Sequence, residues 1–242
     1  ASMLGPARLV ASQTGDRLRG ELFDALDVPL ASIATALGTP ARLCDLMYLH
    51  LNTHSCRVGA GGGTLQVVVG PAGTGKAGNH FSMEYQYRLV ARSDDFVQVT
   101  LTSAGGPLGT GQYEFDVAAA SDGDQRSVVR ILYAYRAGMT ARIAMDLYNK
   151  ATGRHRVGFT VTGLGSDGQP ALVAGLLGSL ERNLVRYHLA LAAYAGAAGG
   201  SPAQLADRRL REWFRLTEIY PRQLHEIDLP EYLASKQAGP AP

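Results

Sequence analysis

Phe81-Ser82-Met83-Glu84-Tyr85-Gln86-Tyr87-Arg88-Leu89 sets an apolar side chain at every second position and a polar one between them. Successive side chains of an extended chain point to opposite faces, so this stretch predicts a strand with one dry face and one wet face. The same period recurs in Val97, Val99 and Leu101, in Tyr113, Phe115 and Val117, in Val129, Ile131, Tyr133 and Tyr135, and in Phe159 and Val161. Ser93-Asp94-Asp95, Gly105-Gly106-Pro107 and Ser121-Asp122-Gly123-Asp124 break the runs. Short turns between successive strands imply an antiparallel meander.

Upstream of Thr53 the period is that of a helix. Leu30, Ile33, Ala34 and Leu37 fall on one helical face that Gly38 ends, and Thr39-Pro40 reads as the cap and first position of a second helix with Leu43, Leu46 and Met47 inward. Residues 1–17 mix Gly, Pro, Ser and Thr without period and read as a flexible lead-in, with structure beginning near Leu18.

A sheet with one dry face needs a cover, because each large apolar side chain left wet forfeits roughly 1.5–3 kcal/mol. The cover predicted is a long helix over 171–195, with Leu177, Leu180, Leu184, Tyr187 and Leu191 as its stripe and Glu181, Arg182 and Arg186 off it. A shorter inserted helix, capped by Thr140 and carrying Ile143, Leu147 and Ala151, precedes Gly153. After a flexible link over Ala195–Gly200, Ser201-Pro202-Ala203-Gln204 has the form of a capping box. It opens a helical extension over 201–234 in which Trp213, Leu216 and Tyr220 share a face and Pro221 ends the first helix; beyond Pro230 the chain is expected to lose order. The fold class is therefore α+β, a twisted antiparallel sheet closed by a long C-terminal helix, with one domain over 18–196 and the extension packed on its outside.

The 242 residues are 46% apolar and carry 23 basic against 21 acidic side chains, interspersed along the chain. Such an even mixture argues against a reader of nucleic-acid backbones. Charges interrupt every apolar stretch before the roughly 20 residues a membrane span needs. No basic then apolar leader opens the chain, which fits either a protein made without one or a mature form. Cys44 and Cys56 are the two cysteines, and their spacing suits a disulfide in an oxidising compartment or two buried thiols in a reducing one.

Gly70-Pro71-Ala72-Gly73-Thr74-Gly75-Lys76-Ala77 matches part of a phosphate-binding loop, but Ala77 replaces the hydroxyl that would meet magnesium and a strand follows instead of a helix. A glycine-rich hairpin is the plainer reading. Cys44, His50, His54 and Cys56 lie close in sequence, yet their spacing is unlike that of a zinc site, and no metal or cofactor is expected. No Gly-x-Ser-x-Gly elbow appears, and no set of side chains reads as catalytic. His188, on the long helix beside Leu184 and Leu191, reads as a core histidine first and a pocket residue second. Phe81, Tyr85, Tyr87, Tyr113, Phe115, Tyr133, Tyr135 and Phe159 share the apolar phase of their strands, which describes either an ordinary core or the wall of a pocket with a few polar tips. Together with Leu177, Leu180, Leu184 and His188 they are the candidate ligand-binding residues.

The opening Glu21-Leu22-Phe23-Asp24-Ala25-Leu26-Asp27-Val28-Pro29, the helix pair ending in Leu43-Cys44-Asp45-Leu46 and the late helix Gly175–Tyr194 resemble the START-like helix-grip (SRPBCC) superfamily, which also holds polyketide cyclases and lipid-transfer proteins. His50-Leu51-Asn52, Gly158-Phe159-Thr160-Val161 and Glu181-Arg182-Asn183 resemble segments of an uncharacterised proteobacterial branch. The resemblance spans 18–196 and implies a cavity between sheet and closing helix for lipids, sterols or polyketides. It also implies export, hence a periplasmic home and a Cys44–Cys56 disulfide; free thiols would instead fit the cytoplasm. The expected function is binding, transport or sensing of a hydrophobic small molecule, with transient membrane contact as a further expectation. The competing readings are a cyclase or aromatase using Tyr or His for acid–base work, and a solidly packed scaffold whose Trp213 docks a partner.

Overall fold

Residues 2–73, 80–141, 143 and 156–237 are described by the computed structural model. Strand β1 spans Arg8–Thr14 and β2 spans Arg17–Leu26; helices α1 (Leu30–Leu37) and α2 (Pro40–Tyr48) follow, then β3 (Thr53–Val58), β4 (Thr64–Val69), β5 (Phe81–Arg92), β6 (Phe96–Gly105), β7 (Thr110–Ser121) and β8 (Ser127–Ala137). These eight strands form one antiparallel sheet in the order β1-β2-β8-β7-β6-β5-β4-β3. The meander predicted from period two is present over β5 to β8, where Leu101 pairs with Phe115 and Phe115 with Tyr133, so the apolar phases coincide on the inner face. On the outer face the buried Asp116 carboxylate accepts hydrogen bonds from Gln98, Thr100 and Arg130.

The sheet departs from the sequence expectation at its first edge. Residues 8–14 are not a lead-in: β1 pairs with β2 along its whole length, from Arg8 opposite Phe23 to Thr14 opposite Arg17. An edge strand with one buried side chain, Leu9, shows no alternation for a reader of sequence to find.

A small hairpin, β9 (Val161–Leu164) and β10 (Pro170–Leu172), precedes the long helix α3, which spans Gly175–Gly196 and so starts four residues later than expected. Phe159 lies before β9, outside any strand. Helix α3 packs on β1, β2, β8, α1 and α2. It lies close to the sheet at Gly20 of β2, where a Cβ would come within 3.1–3.2 Å of Leu184 and Leu180. The wet face expected for α3 does not exist: Glu181, Arg182 and Arg186 are all buried, the first two under the loop at 157–160 and Arg186 under the extension.

That extension comprises α4 (Pro202–Thr217), α5 (Pro221–Leu224) and α6 (Leu229–Gln237). The capping box at Ser201 is formed, with Ser201 and Gln204 exchanging side-chain and backbone hydrogen bonds. Trp213 is buried, stacks on Tyr232 at 5.1 Å and donates its indole N–H to the Arg186 carbonyl at 3.1 Å, so it is spent within the chain and is not a docking residue. Order continues past Pro230, contrary to expectation, because Tyr232 is fully buried and its hydroxyl donates to the Leu49 carbonyl at 2.8 Å. Cys44 and Cys56 are joined in a disulfide that ties α2 to β3, with Cα atoms 5.2 Å apart, and are thereby withdrawn from any metal set with His50 and His54. The inserted helix lies largely outside the described residues, Leu147 and Ala151 among them, as does Thr74–Ala77 of the glycine-rich segment.

Candidate functional site

One loop approaches α3 closely. The Phe159 and Thr160 backbone N–H groups donate to Glu181 Oε2 at 2.6 and 3.0 Å, and the Thr160 hydroxyl donates to Glu181 Oε1 at 2.6 Å. Gly158 permits this: a Cβ there would strike Glu181, would lie 2.7 Å from Val173 Cγ1 and 3.0 Å from Gly178 Cα. Two segments that the sequence singled out separately, Gly158–Val161 and Glu181–Asn183, therefore belong to one contact.

Between the inner face of the sheet and α3 lie two adjoining hollows that share Asn52, Pro71, Pro107, Leu108, Tyr113, Tyr133 and Asn183. One, of about 530 Å³, adds His50, Thr53, Val69, Phe81, Met83, Tyr85 and Tyr187. The other, of about 610 Å³, adds Tyr135, Leu176, Ser179, Arg182, Arg186 and Glu226 among others. A larger groove of about 1000 Å³ runs over the outer face, lined by Arg17, Glu84, Arg88, Thr100, Thr102 and Glu114 among others. Its walls are largely charged or polar, so the inner pair is the better candidate for an apolar guest.

Of the candidate residues, Phe81, Tyr85, Tyr113, Tyr133 and Tyr135 line the inner hollows. The others are elsewhere. Tyr87 donates its hydroxyl to the Leu37 carbonyl at 2.8 Å; Phe115 packs behind the wall on Tyr133 and Tyr187; Phe159 is buried against Tyr220. Leu180 and Leu184 press on Gly20, Leu177 is half-buried off the lining, and His188 places Nε2 3.0 Å from Asp24 Oδ2. Sequence reasoning missed His50, Asn52, Thr53, Asn183, Arg186 and Glu226, which come from turns, from α3 and from the extension.

The tyrosine rings contact one another, Tyr113 stacking on Tyr135 at 5.2 Å and Tyr133 meeting Tyr187 edge-on at 5.9 Å. Burial pushes the phenols of Tyr85 and Tyr133 well above their ordinary pKa, and those of Tyr113, Tyr135 and Tyr187 upward as well. They therefore act as neutral rings bearing O–H groups. At the far end Arg186 bonds Glu226 at 2.7 Å and the Leu224 carbonyl at 3.0 Å, while Arg156 meets the other Glu226 oxygen at 2.6 Å. Burial alone would raise the Glu226 pKa, but the charges of Arg186 and Arg156 outweigh it and hold the carboxyl below its ordinary value. The lining is strained at Leu108, which adopts a φ of 56°.

A long helix lies across the inner face of the eight-stranded antiparallel sheet, with a cavity between them. The fold is a helix-grip. Solved structures similar to the chain include the lipid transfer and protein localization domain of human StarD13, with TM-score 0.40 and 10% identity over 64% of this chain and 79% of that one. The Zhui aromatase/cyclase of a Streptomyces species has TM-score 0.40 and 14% identity over 85% of this chain and 96% of that one. A START superfamily protein of Mycobacterium smegmatis has TM-score 0.37 and 11% identity over 56% of this chain and 95% of that one. No family model and no curated protein matches the sequence. The site's chemistry follows from its own residues.

Proposed function

We propose that the inner cavity binds a hydrophobic small molecule and that the protein carries or senses it. The observation that supports this most directly is the pair of adjoining hollows, of about 530 and 610 Å³, whose walls join tyrosine rings to Val69, Met83 and Leu176. Single sites for small ligands span ~300–1,000 Å³ and combine apolar walls with a few placed polar groups. Leu108, which lines both hollows, is exposed, which supports transient membrane contact during loading. The Cys44–Cys56 disulfide supports an oxidising compartment such as the periplasm. Domain limits of 18–196 for the ligand-binding body and 201–234 for the extension belong to the same proposal, with β1 now included in that body.

Native mass spectrometry of the purified protein and uptake of Nile red are the direct tests. The expected result is bound apolar material and saturable dye fluorescence, both lost in Val69→Trp with Leu176→Trp, which fill the two hollows. Retention of dye binding by the filled variant would move the site elsewhere.

A further inference from the structure

His50 and Thr53 flank the turn between α2 and β3, and both line the smaller hollow. His50 Nδ1 accepts the Asn52 backbone N–H at 3.2 Å, so in a neutral ring the proton sits on Nε2. The ring is neutral: burial first, then the charges of Arg186 and Lys236, hold its pKa well below the ordinary value against an opposing pull from Asn183. Nε2 is thus a donor. The Asn183 side chain on the same cavity wall favours the charged ring but does not meet hydrogen-bond geometry, so Nε2 is buried with no hydrogen-bond partner among the described residues, and the same holds for the Thr53 hydroxyl. Two orphaned polar atoms three residues apart on one cavity wall are unusual, since buried polar groups are almost always paired.

The turn that carries them is held from behind. Lys236 Nζ donates to the His50 and Thr53 carbonyls at 2.8 and 2.6 Å, and the Thr53 N–H donates to the His50 carbonyl at 2.9 Å. The His50 ring itself leans on Tyr187 at 4.6 Å between centroids. The His50 and Thr53 carbonyls and the Thr53 N–H are thereby engaged, while the two side chains keep hydrogen-bonding capacity toward the cavity. Of the charges nearby, Lys236 is engaged by the two carbonyls and Arg186 Nη2 by Glu226 and the Leu224 carbonyl, while Arg186 Nε is buried without a hydrogen-bond partner among the described residues.

We propose that His50 Nε2 and Thr53 Oγ1 form the polar recognition point of the cavity, where they receive an uncharged oxygen, carbonyl or hydroxyl, on an otherwise apolar guest. The proposal rests on the reading of the cavity as a ligand site. His50 donates to the oxygen. The Thr53 hydroxyl donates a second bond to a carbonyl or accepts one from a guest hydroxyl. The preorganised turn means that little further ordering is needed when the bond forms.

Fluorene and 9-fluorenone share one ring frame and differ by a carbonyl oxygen, and 9-fluorenecarboxylate adds a charge instead. Their affinities are measured by displacement of Nile red. Fluorenone is expected to bind about tenfold more tightly than fluorene, the factor given by one net hydrogen bond of roughly 1.4 kcal/mol. His50→Phe should reduce fluorenone to the level of fluorene without weakening fluorene, and Thr53→Val should remove part of the preference. Equal binding of fluorene and fluorenone, a preference that survives both substitutions, or tighter binding of the carboxylate would each overturn the recognition point while leaving the cavity's role intact. Failure of all three compounds to displace dye would overturn the ligand-site reading itself. Should His50→Phe not fold, nitrogen-15 spectra of the wild-type imidazole decide the matter: the Nε2 resonance should move with fluorenone and stay with fluorene, and an unmoved resonance overturns the proposal.

Discussion

Gly158 occupies a position where a methyl group has nowhere to go. Glu181, Val173 and Gly178 all crowd the place a Cβ would take, and two of the three are backbone or short, stiff side chains that cannot rotate away. Overpacking of this kind typically costs ~1–3 kcal/mol. Gly158→Ala is therefore expected to lower the unfolding free energy by that amount, read as a lower urea midpoint with little change in slope, whereas Gly61→Ala, which meets nothing within 4 Å, should leave both unchanged. The sequence displayed both halves of this contact, Gly158–Val161 and Glu181–Asn183, but no periodicity reports that a glycine and a glutamate twenty-three residues apart are in touch. The same limit applies to the pocket. Tyr85, Tyr113, Tyr133 and Tyr135 were legible because strand alternation fixes the face each one shares. His50, Thr53 and Asn183 were not, since they reach the cavity from a turn and from a helix whose approach only the tertiary fold determines.

Among the elements, α6 carries a buried charge, Lys236. Lys236 lies beneath the rings of Tyr48 and Tyr232, its ammonium 4.7 and 5.6 Å from their centroids, and the Tyr48 hydroxyl donates to its carbonyl. Burial lowers the Lys236 pKa to about 7. The unfolded chain keeps that proton up to an ordinary lysine pKa of ~10.4, so between those values unfolding takes up a proton. Stability should consequently rise as pH rises from 7 to 9, by at most ~1.4 kcal/mol per unit, and the rise should vanish in Lys236→Met. Denaturant melts at pH 7, 8 and 9 test it, and a flat wild-type profile would contradict it. His50 adds a second, lower window of the same sign, because its depressed pKa means that stability falls as pH drops below the ordinary histidine value. The strands and helices with one buried face were readable from their spacing. β1 and α6 escaped because one is a polar edge and the other a short, proline-led segment of weak pattern, and both owe their order to the surfaces they land on.

For the whole molecule the question is whether the extension melts with the sheet. Trp213 sits in α4 but is bonded to α3 and stacked on α6, so its fluorescence reports the docking of the extension while far-ultraviolet circular dichroism reports the body. The two signals are expected to give one coincident thermal transition. Separate midpoints would make the extension an independent unit. Reading α3 as covered on one side only put Glu181, Arg182 and Arg186 in water, and the enclosure of that helix on every side is what the sequence hid. A charged residue can be buried wherever a partner waits, and the partners of these three lie between 3 and 40 residues away along the chain.

Lys236 grips the backbone of the same turn that presents His50 and Thr53 inward. Anything lodged inside that steadies the turn also steadies the segment gripping it, some 180 residues further along. Trypsin, which cuts after Arg222 and Lys236, then serves as a gauge of occupancy: release of the terminal peptide should slow in step with filling of the interior, and an external nick would read out an internal guest.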